Sequence, residues 1–263
     1  MVNEKYVLLN EGLKALNQDV FNLLVCSGDY GMGKSYRIIE FVDDNEVDYA
    51  YVQSYATPLS FYKILHENKD KKMIIFDDVN SIDHKIIVGL LKSACWGVLN
   101  GEREVSYYTT SDVMEREGLP EKFELKANIV LVFNDKFEGY ASIVNRGVCI
   151  DFNFSFDEKM KIFEEMKEEV GIDEEILEYI GRISDLTTRN LSIRSLVILS
   201  KLKDKGFDWK AFAKEILNTN EDKKVLIEML NKHDTITEAR DEWCAIMGKG
   251  KRTFFNKKKQ WRL

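Results

Sequence analysis

The chain has 263 residues, 44% of them hydrophobic and 32% charged, with 15 Gly, 2 Pro, 4 Cys and a formal net charge of −7. That length buries a real core in one large or two small domains, and the ordinary apolar fraction excludes disorder on a large scale. The longest apolar runs, 73–76 and 129–133, fall far short of the ~18 residues of a membrane span, and the start MetValAsnGluLysTyr lacks a secretory apolar stretch. A soluble cytoplasmic protein without a membrane partner is therefore expected.

Along the first 155 residues, short apolar runs alternate with amphipathic stretches. Strands are predicted near 20–26, 48–53, 72–77, 127–133 and 147–152, and helices over 33–42, 58–67, 82–97 and 138–145. This is the βαβ pattern of an α/β fold, a mostly parallel sheet sandwiched by helices. From about Asp157 the strand signal disappears, and 157–169, 173–182, 191–203 and 208–218 read as helices of a separate all-α domain. A third part begins near Asn220, with helices over 221–231 and 235–247 and then a basic tail. The expected domains are thus 1–155, 156–219 and 220–263. Cys26, Cys95, Cys149 and Cys244 form no CxxC pair and read as reduced core thiols, while His66, His84 and His233 are scattered and read as surface or cap residues.

The apolar strand PheAsnLeuLeuValCys runs into Gly28-Asp29-Tyr30-Gly31-Met32-Gly33-Lys34-Ser35, which satisfies GxxxxGK[ST] at every fixed position and leads into a helix beginning near Tyr36. Glycines there let successive amides converge on phosphate oxygens at a helix N-terminus. Lys34 then bridges the outer phosphates, and Ser35 offers its hydroxyl to a metal. Residues 71–79, LysLysMetIleIlePheAspAspVal, form a buried-strand run ending in two acids. Downstream of a phosphate loop, Asp77 is the expected magnesium ligand, acting with Ser35, and Asp78 the carboxylate that polarises an attacking water. ATP and Mg2+ are therefore the expected cofactors.

Three later features narrow the family. Asn134 ends the strand over 129–133, Arg146 precedes the last strand, and Arg194 lies at the start of a helix in the all-α part. This order resembles the AAA+ ATPases over roughly residues 10–205. The resemblance implies that Asn134 is the sensor 1 polar residue, Arg146 the arginine finger offered to a neighbouring subunit, and Arg194 the sensor 2 arginine, with Arg182 and Arg189 its nearest rivals. It also implies a homo-oligomeric ring, six subunits being the expected number. Each residue has a plainer reading, Asn134 as a turn residue and the two arginines as solvated helix charges. Family members commonly carry Asp-Glu after this strand; Asp77-Asp78 is one methylene shorter, which points to slow, switch-like turnover. The long stretch 98–126 holds two alternating segments able to pair as a hairpin, similar to the pre-sensor-1 hairpin of the branch that includes superfamily 3 viral helicases. There Tyr107, Tyr108, Arg103 and Lys122 suit a nucleic-acid strand in a central pore, or else form an ordinary edge hairpin.

Charge is unevenly spread. Residues 248–263 hold seven basic residues and no acid, so with −7 overall the remaining 247 carry −14. Thr235 followed by Glu238 reads as a helix start, with Ile236, Ala239, Trp243 and Ile246 or Met247 on one face. A glycine turn follows, then a second helix in which Phe254 and Phe255 anchor and Arg252, Thr253, Asn256 and Lys257 are exposed. This is helix-turn-helix geometry, similar to DNA-binding domains of phage and plasmid proteins, and the expected DNA contacts are Lys249, Lys251, Arg252, Thr253, Asn256, Lys257 and Lys258. Together these features point to an oligomeric, magnesium-dependent ATPase that binds DNA in phage or mobile-element replication, as helicase, helicase loader or initiator. The alternative is an ATP-switched protein that assembles on duplex DNA and recruits a partner.

Overall fold

The computed structural model describes residues 3–79, 84–97, 102–109, 112–134, 141–184, 190–217 and 221–260. The chain divides into two compact units, Met1–Asn153 and Phe154–Leu263. Arg189 lies outside the described residues, as do the first residues of the helices predicted at 82 and 138.

The first unit contains α1 (Glu4–Asn17), β1 (Leu23–Ser27), α2 (Lys34–Asp44), β2 (Tyr49–Gln53), α3 (Pro58–Glu67), β3 (Met73–Asp77) and α4 (Lys85–Cys95). It continues through β4 (Glu104–Ser106), α5 (Val113–Arg116), β5 (Lys122–Glu124), β6 (Asn128–Val132), α6 (Ala141–Val144) and β7 (Val148–Asp151). Five strands form one sheet in the order β2-β3-β6-β1-β7, and every pairing is parallel. The α/β class with a parallel sheet between helices is therefore the observed one. β1, β3 and β6 are buried along their whole length, which is why they read as unbroken apolar runs rather than as alternation. Alternate residues serve the two faces: Leu23, Val25, Ile74, Phe76, Ile129 and Leu131 join one core with Phe61, Leu91, Cys95 and Ile143 of α3, α4 and α6. On the other face Gly12 of α1 sits against Leu24 and Ile150. The edge strand β2 alternates between half-buried and exposed.

α1 is absent from the sequence-based expectation. Tyr6, Leu9, Leu13 and Leu16 give it a correctly spaced buried stripe, but Val7 and Leu8 are 49% and 51% exposed and blur the amphipathic signal. The hairpin expected within 98–126 does pair, with Val105 opposite Phe123. It lies on the core: Val105, Met114, Leu119 and Phe123 are buried beside α3 and α4, and the Tyr62 hydroxyl donates to Pro120 O. Arg103 corrects the nucleic-acid reading of this stretch. It is buried and donates to the carbonyls of Ala94, Lys126 and Ala127, so it ties the hairpin base to α4 and β6. Lys122 pairs with Glu104, and only Tyr108, 69% exposed, keeps an open ring.

Among its described residues the second unit is all-helical: α7 (Phe156–Val170), α8 (Glu174–Ile183), α9 (Ile193–Asp204), α10 (Trp209–Ile216), α11 (Glu221–Lys232), α12 (Ile236–Met247) and α13 (Lys251–Gln260). A capping box of Ser155 and Glu158 starts α7, and the Thr235 hydroxyl accepts the Glu238 amide at the start of α12, as its sequence predicts. Leu226, Met229, Ala239, Trp243 and Phe254 form a core shared by α11, α12 and α13. Ile236 and Ile246 are half-exposed instead of joining the buried face of α12, because Ala239, Trp243 and Met247 already cover the side that meets α11 and α13. Among the described residues no helix is long and apolar enough to cross a membrane. Cys26 and Cys95 are core thiols, each pushed up to about 12 by burial, whereas Cys149 is exposed and Cys244 half-buried.

Candidate functional site

Parallel pairing aligns the carboxyl ends of β3, β6 and β1 at one sheet edge: Asp77 lies opposite Val132, and Val132 opposite Cys26. Whatever follows these strands must converge, and in an open α/β sheet this is where ligands bind. The segment after β1 is Gly28–Gly33, after β3 it is Asp78, and two residues beyond β6 is Asn134.

The 28–35 loop turns through left-handed backbone at Gly31 (φ +66°) and Gly33 (φ +79°), the latter capping α2. Gly28 is required for another reason. A Cβ there would lie 2.7 Å from the backbone carbon of Phe152, so only glycine lets the loop pass the end of β7. Tyr6 of α1 steadies the loop from beneath by donating its hydroxyl to Met32 O, and the Met32 side chain is fully buried. α2 starts with no side-chain cap and no acid in its first turn, so its N-terminal amides and positive dipole end face the loop uncompensated by any side chain of that turn. Ser35 is half-buried in that turn, and Tyr30 and Tyr36 are exposed.

Lys34 is 4% exposed. Its ammonium donates to Gly28 O (2.9 Å), Asp29 O (2.7 Å) and Asn134 Oδ1 (3.3 Å). Asn134 in turn donates through Nδ2 to Asp78 Oδ2. A chain of contacts thus links the lysine of the glycine loop to the exposed acid beyond β3. Burial pushes the Lys34 ammonium below its usual range, opposed by the carboxylates of Asp78, Asp29 and Asp77. A buried ammonium held mainly by neutral oxygens fits a polyanion that would replace those oxygens. Asp78 has φ +50°, a left-handed conformation in which Asp is enriched.

Asp77 is buried, and β2 supplies its partners. Tyr51 donates its hydroxyl to Asp77 Oδ2, and Gln53 Nε2 lies 3.3 Å from the same oxygen and 2.8 Å from the Tyr51 hydroxyl. Burial and this bond raise the Tyr51 phenol above its ordinary range. Neither residue stands out in the sequence. Strand alternation places both on one face, but nothing local reveals that β2 lies beside β3.

Lys34, Asp77, Asp78 and Asn134 therefore meet at one edge, with Ser35 adjacent in the chain to Lys34. Arg146 does not join them. It lies two residues before β7, at the opposite end of the sheet, one strand length or roughly 15 Å away. It is half-buried, and its charge is felt by the Cys95 thiol at the end of α4. Arg194 is exposed in the first turn of α9, and Arg182 is exposed in the last turn of α8.

At the C-terminus, Gly248 caps α12 and the chain turns into α13. Lys251, Arg252, Phe255, Asn256 and Lys259 are exposed, while Lys249, Thr253, Lys257 and Lys258 are half-buried. Of the two adjacent phenylalanines only Phe254 is an anchor; Phe255 is 47% exposed.

Among solved structures, the chain is similar to the RuvB Holliday junction branch migration motor of Thermotoga maritima, with a TM-score of 0.53 at 14% identity. That match covers 96% of this chain and 84% of the other. A point mutant of the same Thermotoga protein aligns with a TM-score of 0.54 at 15% identity over the same shares. No protein-family model matches the sequence, and no curated protein matches it either. The likeness is one of fold: a parallel sheet flanked by helices and followed by a helical region.

Proposed function

We propose that this chain is an oligomeric, magnesium-dependent AAA+ ATPase that holds DNA through its C-terminal helices and acts in phage or mobile-element DNA replication, as helicase, helicase loader or initiator. The observation that carries this reading is the buried Lys34 ammonium joined through Asn134 to Asp78 at the open start of α2. Its resemblance in fold to a DNA branch migration motor supports the DNA half. So does the separate core of α11, α12 and α13, which supports treating 220–263 as a module of its own behind the 156–219 lid.

In this reading Lys34 exchanges its carbonyl partners for phosphate oxygens, and the amides of Gly31 to Ser35 cradle the same anion. Ser35 and Asp77 would hold the magnesium ion, which when bound neutralises charge on the outer phosphates. Tyr51 and Gln53 fix the orientation of the Asp77 carboxylate, Asn134 orients the attacking water against the terminal phosphate, and Asp78 takes a proton from that water. Arg146, at the far end of its own sheet, acts on a neighbour's nucleotide, and Arg194 is the lid arginine. Turnover measured with and without single- and double-stranded DNA, at two salt concentrations, tests the whole assignment. DNA-stimulated, magnesium-dependent hydrolysis is expected; turnover indifferent to DNA at both salt levels refutes the DNA half.

Two residues give sharper outcomes. Arg146→Ala should still bind nucleotide but fail to hydrolyse it, and mixing it with an equimolar Lys34→Ala protein should restore part of the turnover. A mixed interface in which the Arg146→Ala subunit supplies the nucleotide site and the Lys34→Ala subunit the arginine has both groups intact, whereas the reverse orientation lacks both, so recovery is partial. No recovery on mixing would place Arg146 outside catalysis in trans. Tyr51→Phe should weaken magnesium-dependent nucleotide binding by roughly tenfold, as expected for loss of a group that orients a metal ligand. A magnesium titration with a fluorescent ATP analogue reads this, and an equal loss without magnesium would mean that Tyr51 serves only packing.

The left-handed backbone at Asp78 and its shortened side chain favour a second reading, an ATP-controlled switch that assembles on duplex DNA, hydrolyses slowly and recruits a partner. A forked substrate distinguishes them: strand displacement supports the motor, and assembly on duplex without displacement supports the switch.

A further inference from the structure

The exposed positions of α13, Lys251, Arg252, Phe255, Asn256 and Lys259, fall at spacings that make one stripe along the helix. The stripe contains no acid. Opposite it, Phe254 is fully buried against Trp243, their rings 5.6 Å apart and edge-on, so the helix is fixed in rotation. Phe255 packs its inner edge on Phe254 at 5.4 Å and 89° and leaves 47% of itself exposed. Lys251 lies 3.6 Å from Asp241 of α12, which ties the start of the stripe to the scaffold. A solubilising basic tail has no use for a rigidly held phenylalanine in the middle of its charged face.

We propose that α13 enters the major groove of duplex DNA, with Phe255 packing on the C5-methyl group of a thymine while Arg252 and Asn256 reach base edges and Lys259 a backbone phosphate. The inference rests on the DNA-binding reading above and deepens it, assigning strand form, one contact residue, Phe255, that the sequence presents only as an anchor, and a base. The major groove is ~12 Å wide and admits a helix of ~10–12 Å diameter. Thymine methyl is the one apolar group on its floor, and Arg and Asn are the side chains that pair bidentately with guanine and adenine there. Single-strand binders instead use a cationic groove in which aromatics stack on successive bases. Here the aromatic stands on an outward ridge, flanked on both sides by basic or amide side chains. Thr253, Lys257 and Lys258, half-buried beside Phe254, belong to the flank of the helix.

The test uses the full chain. Duplexes enriched from a random-sequence pool are measured by fluorescence anisotropy against the single strands of the same sequence. They are measured again with each thymine replaced in turn by deoxyuracil, which removes only the methyl group. One such replacement is expected to weaken binding about fourfold, the effect of one buried methyl-sized group. Phe255→Ala, an exposed substitution whose folding is checked by thermal unfolding, is expected to bind the thymine and deoxyuracil duplexes equally. Tighter binding to single strands than to the enriched duplex overturns the proposal. So does thymine dependence that survives in Phe255→Ala, or DNA binding with no thymine dependence in the parent chain, and in each of these cases the DNA-binding reading itself stands. Absence of binding to any DNA removes both together.

Discussion

Lys34→Ala is expected to lose magnesium-ATP binding and to lower turnover by a hundredfold or more, on the order of what removing one preorganised charge donor costs. The ammonium is 4% exposed and donates to Gly28 O, Asp29 O and Asn134 Oδ1. Alanine therefore removes both the charge that meets the outer phosphates and the link that joins the glycine loop to Asn134 and Asp78. The fold should survive. A buried ammonium costs desolvation, so its removal lifts that penalty even as three oxygens lose a donor. Thermal unfolding separates the two effects. Ligand at a hundred times its dissociation constant stabilises a protein by ~2.7 kcal/mol, so the parent chain should gain several degrees with magnesium-ATP and Lys34→Ala none. An unchanged ligand-induced shift in Lys34→Ala would refute the proposed nucleotide site at this edge of the sheet.

The second large effect lies far from that lysine in sequence. Trp243→Ala should cost ~3–5 kcal/mol, the range for truncating a buried Trp or Phe. Trp243 is fully buried among Leu226, Met229, Ala239 and Phe254. A cluster this small holds little stability in reserve, so the loss should melt α11, α12 and α13 as a group. The expected result is loss of DNA binding with nucleotide binding retained, seen in circular dichroism as an early partial transition. Ile246→Ala, on the same helix but 54% exposed, should change stability by no more than ~0.5 kcal/mol and serves as the control. If Trp243→Ala abolished nucleotide binding as well, the C-terminal helices would not be a module with a core of their own.

Much of this molecule is legible in its sequence. β1, β3 and β6 announce themselves because a strand buried on both faces is apolar throughout, and the GxxxxGK[ST] loop because its glycines meet a conformational demand that no other residue meets as easily. The helix start at Thr235 is equally plain, since a cap is a contact between residues three apart. Such features depend on neighbours along the chain, and local chemistry is what a sequence records directly.

What only the tertiary structure decided depends on segments distant in sequence. Arg103 reads as a surface cation until carbonyls from α4 and the start of β6 converge on it. Tyr51 and Gln53 become partners of Asp77 only because β2 lies beside β3, an order that no local signal encodes. Arg146 is separated from Lys34 because it precedes a strand and the loop follows one, and parallel pairing sends those ends to opposite edges. Phe254 and Phe255 are alike in sequence, yet ~100° of helix rotation per residue sends one into the core and the other into water once Trp243 fixes which way α13 faces. Residue types and short spacings determined the chemistry on offer, and packing decided which groups meet, because burial and strand order are properties of the whole chain.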